Sequence, residues 1–313
     1  MKTLVLGGTS FVGRWIVEDL LARGHSPTLF SRGRTGAELF PGVERLVGDR
    51  DAGNYAAIEG GTWDAVVDVS AYVPRHVTQV AEALQGASGR YLFISTGSVY
   101  DRSRPAGDGM TEDTPRLPPY RDSEEVTGDT YGPLKVACED DVLTMHRGRA
   151  TIVRPGIVAG PHDPTDRFTY WARRAARGGR IADPGRLDQP VQVVDARDLA
   201  RLVTSLLEAD RGGTFNAVGP QPAVTLGGLI AVCAGGSPIE LVPVDAQPDF
   251  PLVLPDPSWD VMFRRSAAAA LGAGLTTTAL AQTAIDTLRW DTDRGTPPLS
   301  VGMTEAQERE LFG

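Results

Sequence analysis

The sequence predicts an α/β fold in which helices cover both faces of a doubly wound parallel sheet, followed by a smaller C-terminal α+β lobe. Two observations predict it. Short apolar runs alternate with helical patterns through the first half of the chain, and after Gly160 strands and helices continue without that regular alternation. A length of 313 residues corresponds to about two domains. We expect one domain at 1–160, with 190–218 interleaved into it, and the smaller lobe at 161–313.

The individual elements follow from the hydrophobic pattern, because buried strands appear as short apolar runs and packed helices as apolar residues three and four apart. The predicted strands are 3–6, 28–30, 43–47, 65–69, 91–94, 151–154, 191–194 and 214–217. The predicted helices are 12–23, 76–84, 130–146, 167–177, 196–209 and 279–288. Between 101 and 125 lies a long polar loop that contains four prolines, and loops of this length are usually functional lids or disordered segments.

Composition narrows the class of protein. With 41% hydrophobic and 23% charged residues, the chain has the make-up of a globular protein and not of a disordered one. The net charge of −9 disfavours binding to nucleic-acid phosphates. We expect no membrane helix and no signal peptide, because no apolar run reaches roughly 18–20 residues and a strand pattern begins almost at Met1. The two cysteines cannot form a disulfide framework, so we expect reduced thiols and a cytoplasmic protein.

Residues 7–13, GGTSFVG, join the first predicted strand to the first predicted helix. In a doubly wound fold a dinucleotide pyrophosphate binds at this position, because glycines let the backbone approach the phosphates and the helix N-terminus offers free N–H groups. Ser10 stands where a middle glycine is commoner, and its hydroxyl is able to donate to a phosphate. The sequence therefore predicts a dinucleotide site, with a tight turn that binds no ligand as the alternative.

The residues after the second predicted strand indicate which dinucleotide binds. Enzymes that use NAD usually place a carboxylate there, to accept a hydrogen bond from the ribose 2′-hydroxyl. Here Ser31, Arg32 and Arg34 occupy the position, and two guanidiniums are suited to a 2′-phosphate. The sequence therefore favours NADP(H), with NAD(H) and a solvated basic loop left open. Asp49 is equally suited to contact the adenine or to form a turn.

Tyr131 and Lys135 form a Y-x-x-x-K pair at the start of a predicted helix, where a separation of four puts both side chains on one face. An ammonium about 4 Å from the phenol would favour the phenolate by about 4 kcal/mol. That matches the roughly 3 units needed to bring a tyrosine pKa of about 10 to neutrality. Thr96, with Ser98 or Ser95 as alternatives, is expected to polarise the substrate oxygen. An ordinary helix pair and a capped strand end are the structural alternatives.

These motifs occur in an order that resembles the short-chain dehydrogenase/reductase superfamily, in its extended and atypical branch of NAD(P)-dependent epimerase/dehydratase-like and isoflavone-reductase-like proteins. The matching segments are GGTSFVG at 7–13, the strand end at Thr96 with Val99-Tyr100, YGPLK at 131–135, RPG at 154–156 with Gly160-Pro161, and VDARDLA at 194–200. The resemblance implies a Rossmann-type domain, a C-terminal substrate lobe, and Thr96, Tyr131 and Lys135 as the catalytic set. It also implies that 70–72 and 155–158 line the nicotinamide side.

The expected site residues fall into two groups. The expected cofactor contacts are Gly7, Thr9, Ser10, Phe11, Val12, Gly13, Ser31, Arg32, Arg34, Asp49, Arg50, Ser70, Ala71, Tyr72, Tyr131, Lys135, Pro155, Ile157 and Val158. The candidate substrate contacts are Gly97, Val99, Tyr170, Trp171, Arg174 and Gln192, with plain packing as the alternative for those after 160. The four histidines show no metal-ligand spacing, so we expect no metal.

We expect an NADP-dependent oxidoreductase that acts on a small carbonyl or alcohol, with Tyr131 as the acid or base. An epimerase or dehydratase that reduces and reoxidises its nicotinamide within one turnover would use the same residues. Nucleotide-sugar enzymes of the resembling branch carry an Asn at the position of Ile157, and an isoleucine cannot donate to a diphosphate. A third hypothesis is a non-catalytic dinucleotide sensor or RNA-associated protein. The expected partners are a small-molecule substrate and, for a homodimer, a second copy of the chain; a monomer remains the alternative.

Overall fold

The computed structural model describes residues 1–105, 107, 109–244 and 250–312. Contacts divide the chain into two units. The first unit contains Met1–Gly156, Arg197–Ala217 and Ser266–Thr276, and the second contains Ile157–Ala196, Val218–Arg265 and Thr277–Gly313. Residues 157–160, 190–196 and 218, which the sequence places in the first domain, therefore lie in the second unit. Residues 266–276, which it places in the smaller lobe, lie in the first.

Through the first half of the chain, strands and helices alternate in the order that the hydrophobic pattern predicts. The strands are β1 (Lys2–Leu6), β2 (Ser26–Ser31), β3 (Glu44–Val47), β4 (Trp63–Asp68), β5 (Ser88–Ile94), β6 (Ala150–Pro155), β7 (Ile157–Ala159), β8 (Gly179–Ala182), β9 (Pro190–Val191), β10 (Val193–Asp195), β11 (Gly213–Ala217), β12 (Val224–Thr225) and β13 (Ile239–Val242). The helices are α1 (Phe11–Ala22), α2 (Pro74–Leu84), α3 (Tyr131–Met145), α4 (Arg167–Ala176), α5 (Ala196–Glu208), α6 (Leu226–Ala234), α7 (Ala268–Leu271), α8 (Leu280–Asp293) and α9 (Glu305–Phe312).

A parallel sheet forms the centre of the first unit, with the strand order β11-β6-β5-β4-β1-β2-β3 among the described residues. The order reverses at β1, which pairs with β2 on one side and β4 on the other. In open α/β sheets the crevice at such a reversal, outside the carboxyl ends of the strands, is where ligands bind. The predicted α/β class with a doubly wound sheet is confirmed.

Successive residues of β1 point to opposite faces of the sheet, because side chains alternate along a strand. Leu4 and Leu6 share a core with residues of α2 and α3. A Cβ added to Gly8, by contrast, would touch Val5 and also Val17 of α1. Helices therefore cover both faces, and a buried strand between them must be apolar on both sides.

The second unit has a core of its own around α4, α6 and α8. Its strands form two-stranded pairs, β10 with β7, β12 with β9 and β13 with β8. The prediction of one strand at 191–194 is wrong, because Gln192 interrupts it and β9 and β10 join different pairs. The Gln192 side chain donates to the Arg265 carbonyl and accepts from its N–H, both at 3.0 Å. These two bonds stabilise the interruption between β9 and β10. The sequence patterns also missed α9 and the pair β8–β13.

Main-chain hydrogen bonds tie the start of the loop after β5 to its middle, whereas residues 102–105 are exposed. The main chains of Asp101 and Leu117 donate to the carbonyls of Pro115 (2.9 Å) and Val99 (2.8 Å). Positions 106 and 108, which belong to the predicted lid or disordered segment, lie outside the described residues. Among the residues that are described, none of the helices combines the length and apolar character needed to cross a bilayer.

Candidate active site

The glycine turn between β1 and α1 needs glycine for steric reasons. Gly7 has a φ of +95°, which side chains with a Cβ rarely adopt. A Cβ on Gly13 would lie 1.9 Å from the carbonyl oxygen of Gly7, and a Cβ on Gly7 would lie 2.9 Å from the Cβ of Ser70. The turn therefore packs backbone against backbone at the carboxyl end of β1, beside the end of β4.

The first turn of α1 follows the glycine turn and has no side-chain cap. Ser10 is the N-cap residue, it is exposed, and its hydroxyl accepts no capping hydrogen bond. Thr9, Phe11 and Val12 are half-buried around it, and Phe11 has an unusual φ of +28°. Uncapped N–H groups at a helix N-terminus form a site for anions. The residues present therefore fit a dinucleotide pyrophosphate.

The loop after β2 carries the two predicted phosphate-binding arginines on the surface. Ser31 is half-buried, and its hydroxyl accepts a hydrogen bond from the Gly33 main chain. Arg34 is exposed and forms no ion pair or hydrogen bond with any described residue, whereas Arg32 Nη1 lies 3.7 Å from Asp51 Oδ2. The hydroxyl of Thr9 lies 3.4 Å from that of Thr35, so this loop and the glycine turn are neighbours.

Asp49 and Arg50 differ in their surroundings. Asp49 is half-buried and its carboxylate accepts from the Asp51 main chain at 3.1 Å, as in the turn-forming alternative. Arg50 is buried, and its guanidinium donates to both carboxylate oxygens of Asp68 at 2.6 and 2.8 Å. It also donates to the Ser70 hydroxyl at 2.9 Å. The guanidinium of Arg50 is therefore bonded to residues at and after the end of β4 and does not face a ligand site.

Lys135 is the most strongly perturbed group of the predicted catalytic set. Its side chain is buried, and its ammonium donates to the carbonyls of Ala71 and Ile94, both at 2.8 Å. The ammonium also lies over the Phe93 ring, 4.1 Å from the centroid. Burial lowers the pKa of Lys135 to about 8, against the opposing effect of Asp68. An ammonium has three donors, so one remains for a ligand hydroxyl after both strand-end carbonyls are bonded.

Tyr131 and Thr96 reach the same end of the sheet by different elements. Tyr131 is half-buried at the first position of α3, and its ring lies 6.4 Å from that of Tyr72, whose ring is 5.7 Å from the Lys135 ammonium. A Cβ on Gly132 would lie 2.4 Å from the Ser98 carbonyl oxygen, so α3 begins directly against the turn after β5. Thr96 caps that turn by accepting from the Ser98 main chain at 3.1 Å.

The sequence patterns missed a buried charged residue behind this set. Glu139 lies one turn after Lys135 on α3 and is fully buried. Its carboxylate accepts from the Ser95 hydroxyl at 2.6 Å, from Arg154 at 2.7 and 2.9 Å, and from Arg116 at 3.0 Å. Ser95 therefore serves this network, which leaves Thr96 and Ser98 as the hydroxyls of the predicted site. One carboxylate thus ties the ends of β5 and β6 to the helix that carries Tyr131.

The remaining predicted residues have packing partners. Ser70 and Ala71 hydrogen-bond through their main chains to Asp68, Gly97 and Val99 are buried in the turn after β5, and Pro155 is buried at the end of β6. Ile157 and Val158 are half-buried on β7 of the second unit and stay predicted cofactor contacts.

The predicted substrate contacts of the second unit are buried. Trp171 donates to the Pro251 carbonyl at 2.7 Å, Tyr170 packs edge-on against Trp171, and Arg174 pairs with Glu308. Together with Gln192, these side chains have the surroundings of the packing alternative, so we leave them out of the candidate site. The described residues contain no group of three or more His, Cys, Asp and Glu side chains that could hold a metal.

Comparison with known families decides the affiliation of the chain. The model of the NAD dependent epimerase/dehydratase family matches residues 3–218. The chain belongs to this family. Membership in the epimerase/dehydratase family confirms the resemblance stated from the motifs.

Two curated proteins are similar to this member of the epimerase/dehydratase family. The chloroplast stem-loop binding protein of 41 kDa b of Arabidopsis thaliana is 26% identical over 259 residues, which are 76% of this chain and 64% of the relative. The 2-alkyl-3-oxoalkanoate reductase of Stenotrophomonas maltophilia (strain K279a) is 26% identical over 197 residues, 58% of this chain and 57% of the relative. This chain therefore spans less than two thirds of either protein.

Solved epimerases share the fold of this family member. The UDP-glucuronic acid 4-epimerase of Bacillus cereus, in complex with NAD, superposes with a TM-score of 0.68 at 16% identity, covering 94% of this chain and 99% of the other. The UDP-glucose 4-epimerase of Thermus thermophilus, also with NAD, has a TM-score of 0.68 at 20% identity and covers 95% and 100%. The likeness extends over both units and concerns the fold.

Substituting the tightest glycine of the turn tests the cofactor site. We expect Gly13→Ala to weaken NAD(P)H binding by about 10²-fold, because its Cβ would collide with the Gly7 carbonyl and displace the turn by about 1 Å. Titration of nicotinamide fluorescence measures the affinity. Gly42→Ala is the control, since a Cβ at Gly42 meets nothing within 4 Å. Wild-type affinity in Gly13→Ala would show that the dinucleotide binds elsewhere.

Proposed function

We propose that this chain is an NADP-dependent oxidoreductase that reduces a small carbonyl compound, or oxidises the corresponding alcohol, with Tyr131 as the acid or base. The observation that carries this proposal is the position of the Lys135 ammonium. It is bonded to the main chain just after β4 and at the end of β5, and it lies 5.7 Å from the Tyr72 ring, which is 6.4 Å from the Tyr131 ring. A buried cation beside a phenol stabilises the phenolate that remains after proton donation.

Each group of residues in the proposed site has a separate role. The glycine turn and the first turn of α1 would hold the pyrophosphate, Arg32 and Arg34 the 2′-phosphate, and Lys135 the ribose hydroxyls. The bound nicotinamide supplies or accepts a hydride. Thr96 donates a hydrogen bond to the substrate oxygen and orients it, and Tyr131 gives its phenolic proton to that oxygen during reduction or removes the proton during oxidation.

The Stenotrophomonas relative suggests a substrate class. Its name specifies a reductase of 2-alkyl-3-oxoalkanoates, in which the ketone carbon is two bonds away from the carboxylate carbon. Because reduction of such a ketone needs only hydride delivery and one proton, the proposed set is sufficient for it. We therefore place 3-oxo acids first in a substrate panel, followed by neutral ketones and aldehydes.

Epimerisation or dehydration is the second candidate, and the family description favours it. The two candidates differ in how the cofactor behaves. A transient redox cycle returns the nicotinamide to its starting state, so an epimerase copurifies with a tightly held cofactor and shows no net change in nicotinamide absorbance. Mass spectrometry of the denatured purified protein, combined with the carbonyl panel, separates the two.

RNA binding is a further candidate because of the name of the Arabidopsis relative. The net charge of −9 disfavours it, since phosphate contacts need clustered Lys and Arg. A salt-sensitive complex with a stem-loop RNA, together with no turnover of any carbonyl, would replace the proposed activity by this one.

Cofactor affinities test the NADP assignment directly. We expect NADPH to bind at least tenfold more tightly than NADH, and Arg34→Gln to lose about tenfold in NADPH affinity, because a charge-assisted pair contributes about 1.5 kcal/mol. Fluorescence titration measures both. Arg289→Gln, which removes an exposed arginine of the second unit, should change neither value. Equal affinity for the two cofactors in the wild type would contradict the assignment.

A further inference from the structure

Hydrogen bonds from within and from α2 hold the turn between β3 and the short helix Ala56–Ile58. The main chains of Asp49 and Asn54 pair with each other at 2.8 and 3.2 Å, and the Asp51 main chain donates to the Asp49 carboxylate at 3.1 Å. From α2, Arg75 donates to the carbonyls of Arg50 at 3.1 Å and Asp51 at 3.4 Å. Both the main-chain N–H and the carbonyl of Asp51 are therefore hydrogen-bonded, which fixes the backbone that carries its carboxylate.

That carboxylate faces two basic side chains. Oδ2 lies 3.7 Å from Arg32 Nη1, and Oδ1 lies 3.3 Å from His76 Nε2. The His76 ring is buried, and burial lowers its pKa, with the nearby Arg50 acting in the same direction. With the imidazole neutral and the Arg75 guanidinium paired with Glu124 at 2.7 Å, Arg32 is the cation that forms an ion pair with the Asp51 carboxylate. The Asp51 side chain remains 71% exposed, so it is open to a ligand that reaches this loop.

The ion pair between Asp51 and Arg32 changes the charge that the loop after β2 offers to a cofactor. Without Asp51, Arg32 and Arg34 would present two positive charges to a 2′-phosphate, which carries nearly two negative charges. With Asp51 in place, one of them is already offset, and a bound 2′-phosphate would lie beside a fixed negative charge. A ribose 2′-hydroxyl has the opposite relation to the site, because it donates hydrogen bonds and a carboxylate accepts them.

We propose that Asp51 is a specificity-determining residue that narrows the preference for NADPH over NADH, by offsetting Arg32 and by accepting a hydrogen bond from the 2′-hydroxyl of NADH. This inference rests on the proposed role of Arg32 and Arg34. It assigns a function to Asp51, which follows the predicted cofactor contacts Asp49 and Arg50 but is not itself among the residues expected from the sequence.

The test measures dissociation constants of NADPH and NADH for the full chain and its variants. Asp51→Asn should bind NADPH about three- to fivefold more tightly and NADH about two- to threefold more weakly, so that the ratio of the two constants rises by about tenfold. The gain for NADPH should disappear in 1 M salt, where the Debye length falls to about 3 Å. Glu59→Gln, the same change of charge at an exposed residue, should leave the ratio unchanged.

Combination with Arg32→Gln separates this inference from the cofactor assignment. If Asp51 acts by offsetting Arg32, the gain of Asp51→Asn in NADPH affinity falls by half or more in the Arg32→Gln background. A ratio that stays within twofold of the wild type in both Asp51→Asn and Asp51→Ser overturns the inference, even when Arg32→Gln and Arg34→Gln weaken NADPH binding. If neither arginine variant affects NADPH, the proposed clamp itself is wrong, and the inference fails with it. Circular dichroism confirms that each variant is folded.

Discussion

Replacing Tyr131 by Phe should lower the turnover of a carbonyl substrate by about 10²- to 10⁴-fold, which is the usual contribution of a positioned general acid. The substitution removes one hydroxyl and keeps the ring that packs near Tyr72 at 6.4 Å. The fold and the Lys135 ammonium, bonded to the carbonyls of Ala71 and Ile94, are therefore retained. Turnover is measured as loss of NADPH absorbance with the substrate of the panel that reacts fastest.

We expect Tyr131 to act in the chemical step and not in cofactor binding, so the affinity for NADPH distinguishes these two roles. NADPH should bind Tyr131→Phe within about threefold of the wild type, because the proposed contacts between Lys135 and the cofactor are unchanged. Tyr72→Phe is the matched control, since it removes the same hydroxyl from the neighbouring ring, and its turnover should stay within a few-fold of the wild type. Equal losses in the two variants would mean that neither phenol is the specific proton donor and that both act through the shape of the pocket.

Most of the first unit could be predicted from the sequence because its elements are strongly patterned. The strands β1, β4 and β5 are apolar on both faces, and this is the local signal of a parallel sheet between two layers of helices. The motif spacing also located the glycine turn and the start of α3, since both depend on a few residues close in sequence. The order of the strands in the sheet does not follow from such local patterns, because it depends on which chain segments pair and not on the composition of any one segment.

The misses concern partners that are distant in the chain. Asp68 and Glu139 each follow apolar residues, at the end of β4 and within α3, and a carboxylate in such a place must have a buried partner. The sequence therefore indicates that Asp68 and Glu139 have buried partners. Which residues these are, Arg50 and Arg154, depends on the order of the strands in the sheet. The same limit applies to Arg50, which a local motif places at the cofactor and the tertiary structure places against Asp68. Asp51 lacks a motif altogether, and only its distance of 3.7 Å from Arg32 draws attention to it.

Glu139→Ala should lower the free energy of unfolding by about 3–5 kcal/mol, as expected when one partner of a buried ion pair is removed. The loss comes less from the missing attraction than from what remains. Arg154 would keep its charge in a site where 4% of the residue is exposed, and the Ser95 hydroxyl would lose its acceptor. The change is measured from the urea dependence of circular dichroism at constant pH.

Two further variants determine whether the charge or the shape of Glu139 matters. Glu139→Gln keeps the volume and one carbonyl oxygen, but Arg154 donates to both carboxylate oxygens, and an amide offers one acceptor to its two N–H groups. We therefore expect a loss between those of the wild type and Glu139→Ala. Asp141→Ala, two residues further along α3, removes a carboxylate that pairs with the half-exposed Arg121 and should lose at most about 1 kcal/mol.

The contrast between Glu139 and Asp141 also bears on the active site. Glu139 joins the strand ends before Thr96 and Pro155 to the helix that carries Tyr131 and Lys135, whereas Asp141 pairs with the preceding loop alone. If that junction keeps the catalytic groups in register, Glu139→Gln should lose turnover at temperatures where it is still fully folded, and Asp141→Ala should not. Full turnover in folded Glu139→Gln would mean that the carboxylate supports stability alone, and that the strand ends are held in place by the sheet itself.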